Sequence, residues 1–206
     1  MFLFQIKTKE QIEVNNSVHK NLLDGLKKFD STDKIMLNEY LKKLTPYQNE
    51  LLKALLPQFI KLGNKFSVFY RPSDIFTNLF EEVISQYNEY KNKNPNATIA
   101  SFANDEGKQF FQLLEYNLLN AKTKEEIGKG LDKALDLYQL LGMEGIKKLN
   151  KLYEFAQNPF NNLDVKKVDE FVGQLVSEFN PDMAKKVIDS LELDGLQPMK
   201  QKFGKN

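Results

Sequence analysis

The stretch PSDIFTNLFEEVISQYNEY, residues 72–90, sets the fold class of this chain. Its apolar residues recur at spacings of three and four, which is the period of one face of an α-helix. These residues are Ile75, Phe76, Leu79, Phe80, Val83, Ile84 and Tyr87. Ser73 and Asp74 supply the capping oxygen and the negative charge that favour a helix start. The stretch predicts a long amphipathic helix that begins at these two residues.

The same spacing recurs along most of the chain, interrupted by short turns rich in Asn, Pro and Gly. The further amphipathic segments are residues 18–29, 31–44, 45–63, 123–142, 143–157, 164–179 and 180–195. Connections of this length are typical of compact helical domains. We therefore predict an all-α fold, a compact multi-helix domain of about eight or nine helices with short connections.

Two stretches alternate apolar and polar residues in the way that short strands do. They are residues 65–71 and residues 2–7, of which the second can equally form an extended N-terminal arm. At most they would add a vestigial two-stranded element. A chain of 206 residues fits one domain, so we expect residues 1–206 to fold as a single unit. The polar run 90–98 is the alternative boundary between two helical subdomains.

The apolar helix predicted over residues 45–63 contains a proline. Its leucine, isoleucine and phenylalanine residues cover more than half of the helix circumference, which is typical of a central, buried helix. Pro57 removes a backbone hydrogen bond inside it and clashes with the carbonyl group of Lys53. We predict that the helix kinks or restarts between Leu56 and Pro57, and that Gly63 is its C-cap.

Glycines punctuate the second half of the chain. Thr123 and Glu126 have the spacing of a capping box, and Gly142 is expected to end the helix that they start. Other glycines inside helical runs each cost a helix about 1 kcal/mol relative to alanine. They are Gly128, Gly130, Gly145 and Gly173. Tight helix contacts or a neighbouring cavity would explain them, and simple tolerance is the plain alternative.

The composition excludes several kinds of chemistry. The chain has no cysteine, so disulfides, thiolate metal sites and thiol nucleophiles are ruled out. Its 29 basic and 28 acidic residues nearly cancel, and all but one of the basic residues are lysine. Because arginine is the residue that reads guanine edges, we expect no sequence-specific nucleic-acid binding. No run approaches 18 apolar residues, so we expect no transmembrane segment.

Candidate catalytic and metal-binding residues are few. His19 is the only histidine, and with no second histidine or cysteine to join it we interpret it as a surface residue. Adjacent carboxylates such as Glu81 and Glu82 point about 100° apart on a helix, so they do not form an acid/base pair unaided. We therefore expect no catalytic residues, no metal site and no cofactor.

Arg71 is the one arginine, and it follows an aromatic run and precedes a proline. The residue before a proline avoids the helical region, so we expect an extended crossing between two helices here. One interpretation makes Arg71 a structural clamp that stacks on Tyr70 or Phe69 and pairs with Asp74, and the sequence favours this one. The other presents the guanidinium to an anionic group of a ligand or partner, with Phe66, Phe69 and Tyr70 beside it.

Our leading hypothesis is a non-enzymatic binding protein that engages another macromolecule, most simply a protein, through helix grooves and an aromatic surface. It rests on the missing catalytic groups and on the frequency of interaction modules among all-α domains. The alternative is a helical carrier of a fatty acid or similar hydrophobic ligand, motivated by the Pro57 kink, the interior glycines and the many phenylalanines. An enzyme that uses only Asp, Glu, Lys, Ser or Tyr is a third class.

The start of the chain carries no basic segment, no sufficient apolar core and no small-residue cleavage site. We therefore expect no signal peptide there. A soluble, cytoplasmic protein is the default expectation, unless a signal peptide has already been removed.

Overall fold

The computed structural model describes residues 8–157 and 165–190. This part of the chain holds ten α-helices, one 3₁₀ turn and no β-strand. The helices are α1 Lys9–Gly25, α2 Ser31–Leu41, α3 Pro46–Ala54, α4 Leu56–Gly63, α5 Pro72–Lys93, α6 Ile99–Asn104, α7 Glu106–Leu118, α8 Lys124–Gln157, α9 Val165–Glu178 and α10 Pro181–Ser190. The 3₁₀ turn, Phe66–Val68, lies between α4 and α5. The all-α prediction is confirmed.

The stretch 65–71, which alternates like a strand, is not one. Phe66 starts the 3₁₀ turn and is fully buried, and the Phe69 N–H group donates to the Phe66 carbonyl at 2.9 Å. Phe69 has the expected extended backbone, at φ −85° and ψ 148°, whereas Lys65 has a right-handed helical one. The strand prediction is wrong here because the alternation reflects one anchoring side chain and not strand pairing. Residues 2–7 lie outside the described residues.

Contacts divide the chain into two compact units, Met1–Phe111 and Gln112–Asn206, and the division falls inside α7. The polar run 90–98 instead joins α5 to α6 within the first unit. The expectation of a single domain stays a prediction, because one continuous helix crosses the division.

The core of the first unit is built around the ring of Phe59. Its centroid lies 5.3 Å from that of Phe76, 5.4 Å from that of Phe80 and 4.9 Å from that of Phe111. All four side chains are buried. Aromatic pairs in this distance range contribute about 0.5–1.5 kcal/mol each beyond the burial of their area. The apolar stripe of α5 therefore packs on α4, which confirms the amphipathic helix expected from residues 72–90.

The predicted break near Pro57 is confirmed, displaced by one residue. α3 ends at Ala54 and α4 begins at Leu56, with Leu55 between them at φ −115° and ψ 18°. Pro57 lies in the first turn of α4, where its missing N–H group would have no helical partner in any case. A new helix therefore begins just before the proline, and α4 does not have to bend to accommodate Pro57.

Gly63 is not a C-cap. It is the last residue of α4, and Asn64 after it keeps a right-handed helical backbone at φ −66° and ψ −21°. A Cβ atom on Gly63 would lie 2.5 Å from Cδ2 of Leu26, and one on Gly25 would lie 2.7 Å from Cδ1 of Ile60. A side chain at either glycine would force Leu26 or Ile60 to shift, because α1 and α4 approach closely here, and a sequence pattern alone does not reveal this.

His19 is buried, so its interpretation as a surface residue is wrong. Its Nε2 atom lies 2.7 Å from Oδ1 of Asn49, and because a carboxamide oxygen only accepts, His19 is the donor. The Asn49 amide in turn donates to the carbonyl of Thr45 at 3.1 Å. Asn49 lies 30 positions after His19 in the sequence, and its hydrogen bond offsets the cost of burying the imidazole.

In the second unit, α8 is two helical halves that meet at Gly142. This glycine has φ 67° and ψ 176°, a backbone conformation open essentially to glycine alone, so the predicted helix end is confirmed. At the start of α8 the Glu126 N–H group donates to Oγ1 of Thr123 at 3.2 Å. The rings of Tyr116 and Tyr153 pack with centroids 4.4 Å apart, which joins the end of α7 to the second half of α8.

Candidate functional site

The segment between α4 and α5 contains the residues that the sequence nominated. We call residues 66–74 the α4–α5 connection; it comprises the 3₁₀ turn, the three residues after it and the first turn of α5. Its base is Phe66, which is 0% exposed. Phe69 is half-buried and meets Phe66 edge to face at 6.5 Å between ring centroids. Phe66 therefore cannot touch a partner, and it supports the surface from below.

Tyr70 projects from this support into solvent. At 81% exposure it is the most exposed of the large apolar and aromatic side chains in the described part of the chain. Its neighbours at 66 and 69 are anchored, so the backbone that carries the ring is held in place. An exposed ring on an anchored backbone contributes nothing to the core, and it loses little conformational entropy when a partner covers it.

Arg71 has a left-handed backbone, at φ 63° and ψ 65°. It is the only residue other than glycine with positive φ among the described residues. This conformation costs an L-amino acid about 1–2 kcal/mol. Pro72 explains part of the geometry, because it bars Arg71 from the right-handed helical region and is itself favourable as the first residue of α5. The expected extended crossing is therefore replaced, at this residue, by a sharp left-handed turn.

Both contacts of the predicted clamp are present, and both are weak. Nη1 of Arg71 lies 3.9 Å from Oδ2 of Asp74, and Cζ lies 5.9 Å from the centre of the Tyr70 ring. The Arg71 side chain is 61% exposed and that of Asp74 is 55% exposed. Exposed ion pairs contribute about 0–1 kcal/mol, and exposed cation–π contacts about 0.5–1 kcal/mol. The contacts roughly offset the backbone strain, so they give no net reason for the fold to retain an arginine here.

Ser73 does not cap α5, contrary to the prediction. The helix begins one residue earlier than expected, at Pro72, which makes Arg71 the N-cap residue, and no side chain bonds to the free N–H groups of the first turn. Ser73 is 2% exposed, and its Oγ atom has no hydrogen-bond partner in the described part of the chain. A buried hydroxyl without a partner costs about 1–3 kcal/mol.

α2 packs against α5. The hydroxyl of Tyr40 on α2 donates to Oε1 of Glu81 on α5 at 2.5 Å. Burial raises the pKa of Asp33 above its ordinary value, and the charges of Asp30 and Asp74 add to the effect. The negative charges of these two carboxylates therefore oppose the ionisation of Asp33.

The sequence singled out Phe66, Phe69, Tyr70 and Arg71, and the structure keeps them together with only Tyr70 and Arg71 well exposed. The sequence gives Ser73 a different role, because a serine at a helix start favours a cap. The usable signal was Pro72, whose preference for the first helical position moves the cap to Arg71.

Within the described ranges, no three His, Asp or Glu side chains gather in a way that could hold a metal ion. Each helix in those ranges is too short or too polar to cross a bilayer. Comparison of the chain with protein families, with curated proteins and with solved structures finds no match.

Proposed function

We propose that this chain is a non-enzymatic protein-binding module whose contact surface is the α4–α5 connection, centred on Tyr70 and Arg71. The observation that carries the proposal is Tyr70, 81% exposed beside an arginine held in a left-handed backbone. Tyrosine and arginine are the residues most enriched, with tryptophan, among the few that dominate binding energy at protein interfaces. Backbone strain of this kind clusters at functional sites because it fixes side chains in one presentation.

The carrier alternative has no comparable support. Its motivation is the set of interior glycines, the many phenylalanines and the kink at Pro57. Two residues further on, the ring of Phe59 is packed against three other phenylalanine rings. This region is filled by aromatic side chains, and close packing here favours a rigid support for a surface site over a ligand chamber.

The test is site-specific photo-crosslinking in extracts of the cells that express the protein. A photoreactive phenylalanine analogue replaces Tyr70 in one variant and Ile35, which lies on α2 and is 64% exposed, in the control variant. Both positions expose a large apolar side chain on the first unit. We expect one protein to be crosslinked from position 70 and not from position 35.

The crosslinked partner is then purified and its binding measured directly. Truncation of a dominant interface residue costs about 2 kcal/mol or more, so Tyr70→Ala should weaken the complex about 30-fold. Equal crosslinking from both positions, or a complex that Tyr70→Ala leaves unchanged, would reject this surface as the binding site.

A further inference from the structure

We propose that the start of α5 binds a carboxylate group of the protein partner, through Ser73 and the guanidinium of Arg71. This inference rests on the proposed function and names the chemistry that the partner brings. It adds Ser73, which the sequence assigned to a different role, to the binding residues.

The first ground is the unfilled N-terminus of α5. The helix is 22 residues long, and its N-terminal end carries a partial positive charge. Arg71 at the N-cap makes no side-chain cap, and Pro72 has no N–H group to offer. The Asp74 N–H group turns back to the Arg71 carbonyl at 3.1 Å. Ser73, as the second residue, has no carbonyl four residues earlier within the helix, so its N–H group has no acceptor inside α5.

The second ground is the Ser73 hydroxyl, which is independent of the helix end. It is buried and has no hydrogen-bond partner among the described residues, although a serine hydroxyl normally finds one when it leaves water. Cα–Cβ bonds in an α-helix lean towards the N-terminus, so this hydroxyl leans towards the open first turn. Its backbone N–H and side-chain O–H groups together can donate two hydrogen bonds to one anionic oxygen pair.

The third ground is the loose hold of Asp74 on Arg71. A separation of 3.9 Å is longer than a hydrogen bond, so the guanidinium is not committed to that carboxylate. Its fork of N–H donors matches a carboxylate in two-point fashion, which a ligand carboxylate can exploit in place of Asp74. Because Ser73 is buried in the free protein, binding requires the start of α5 to open far enough to expose its hydroxyl.

The surrounding charges select the class of anion. Asp74 lies 3.9 Å from the guanidinium of Arg71, and its charge repels a doubly charged phosphate more than a singly charged carboxylate. Acidic side chains of a protein supply that carboxylate.

The experiment is a titration followed by the amide resonances of residues 73 and 74. The probes are inorganic phosphate and two matched twelve-residue peptides, a Gly-Ser-Glu repeat and a Gly-Ser-Gln repeat. Both peptides have an acetylated N-terminus and an amidated C-terminus, so that only the Glu peptide carries carboxylates. We expect shifts from the Glu peptide alone. Ser73→Ala should weaken that binding at least tenfold, and Arg71→Lys, which keeps the charge and loses the fork, several-fold. Ser31→Ala, at the exposed start of α2, is the control and should change it less than twofold.

Thermal unfolding of the same variants supplies a second readout. Ser73→Ala removes a hydroxyl that has no partner, so the thermal midpoint should stay level or rise. A lower midpoint would mean that the hydroxyl is bonded in the free protein and would overturn the proposal. Equal shifts from the Glu and Gln peptides, no shift from either, or a stronger response to phosphate would do the same. Partner crosslinking at position 70 is untouched by those outcomes, so the proposed function can survive them.

Discussion

Replacing Arg71 by glycine and by alanine measures the backbone strain at the proposed site. Both variants lose the 3.9 Å approach to Asp74 and the 5.9 Å approach to the Tyr70 ring. Together those contacts contribute about 0.5–2 kcal/mol at this level of exposure. Alanine keeps the left-handed strain, so Arg71→Ala should lower the free energy of unfolding by about that amount.

Glycine adopts φ 63° without steric cost, so Arg71→Gly also removes about 1–2 kcal/mol of strain. Against this stands the greater freedom of glycine in the unfolded chain, about 0.5–1 kcal/mol. The glycine variant should therefore be more stable than the alanine variant by about 0.5–1 kcal/mol and close to the parent protein. Chemical denaturation of the three proteins, with midpoints compared at a common slope, gives these differences.

The result that refutes this reasoning is a glycine variant that is less stable than the alanine variant. It would show that residue 71 does not hold a left-handed backbone in solution. The inference that strain fixes the presentation of Tyr70 would then fall with it.

Three further predictions concern the scaffold. Gly130→Ala places a Cβ atom 2.5 Å from a backbone carbonyl oxygen of α7 and should destabilise the protein by about 1–3 kcal/mol. Gly173→Ala places its Cβ atom with no atom of the surroundings within 4 Å and should stabilise the protein by about 0.5–1 kcal/mol. Chemical denaturation measures both differences. Tyr40→Phe should cost about 1 kcal/mol near neutral pH, and the loss should shrink above pH 10. The change in the free energy of unfolding caused by Asp33→Asn should be more favourable near pH 7 than near pH 3.

The two pH dependences follow from the direction of each pKa shift. Burial and a carboxylate acceptor raise the pKa of Tyr40, so the folded protein holds its proton more tightly and loses stability as pH rises through the ordinary tyrosine range. The folded protein also binds the proton of Asp33 more tightly, so ionisation near neutral pH lowers stability and the asparagine avoids that cost. A pH-independent difference for either variant would contradict the assigned environment, and equal effects of the two glycine variants would contradict the helix packing.

Most of the helices could be predicted from periodicity, because that pattern records which face of each segment is buried. The helices α6 and α7 lie outside the predicted segments. α5 and the breaks at Leu55 and Gly142 all follow from local rules about spacing, proline and glycine. The burial of His19 could not be predicted in this way, since its partner Asn49 approaches only through the packing of α1 on α3. The role of Gly63 could not be predicted for the same reason, because its neighbour Leu26 lies just after α1, far away in the sequence.

In the candidate site, too, some residues could be predicted from local sequence and others depend on packing. Arg71 and Tyr70 were recognisable because they break a local pattern, a lone arginine and an aromatic run before a proline. The exposure of Tyr70 and the burial of Ser73 depend on how Phe66 anchors the turn, and no local rule specifies that. The observation that adds Ser73 to the proposed site is its hydroxyl, which has no partner among the described residues.

The affinity of the purified crosslinked partner for the Tyr70→Ala protein tests the central claim most directly. Calorimetric titration should show about 30-fold weaker binding at an unchanged thermal midpoint, while Ile35→Ala binds like the parent protein. An affinity that is the same for the parent and for Tyr70→Ala would contradict the account.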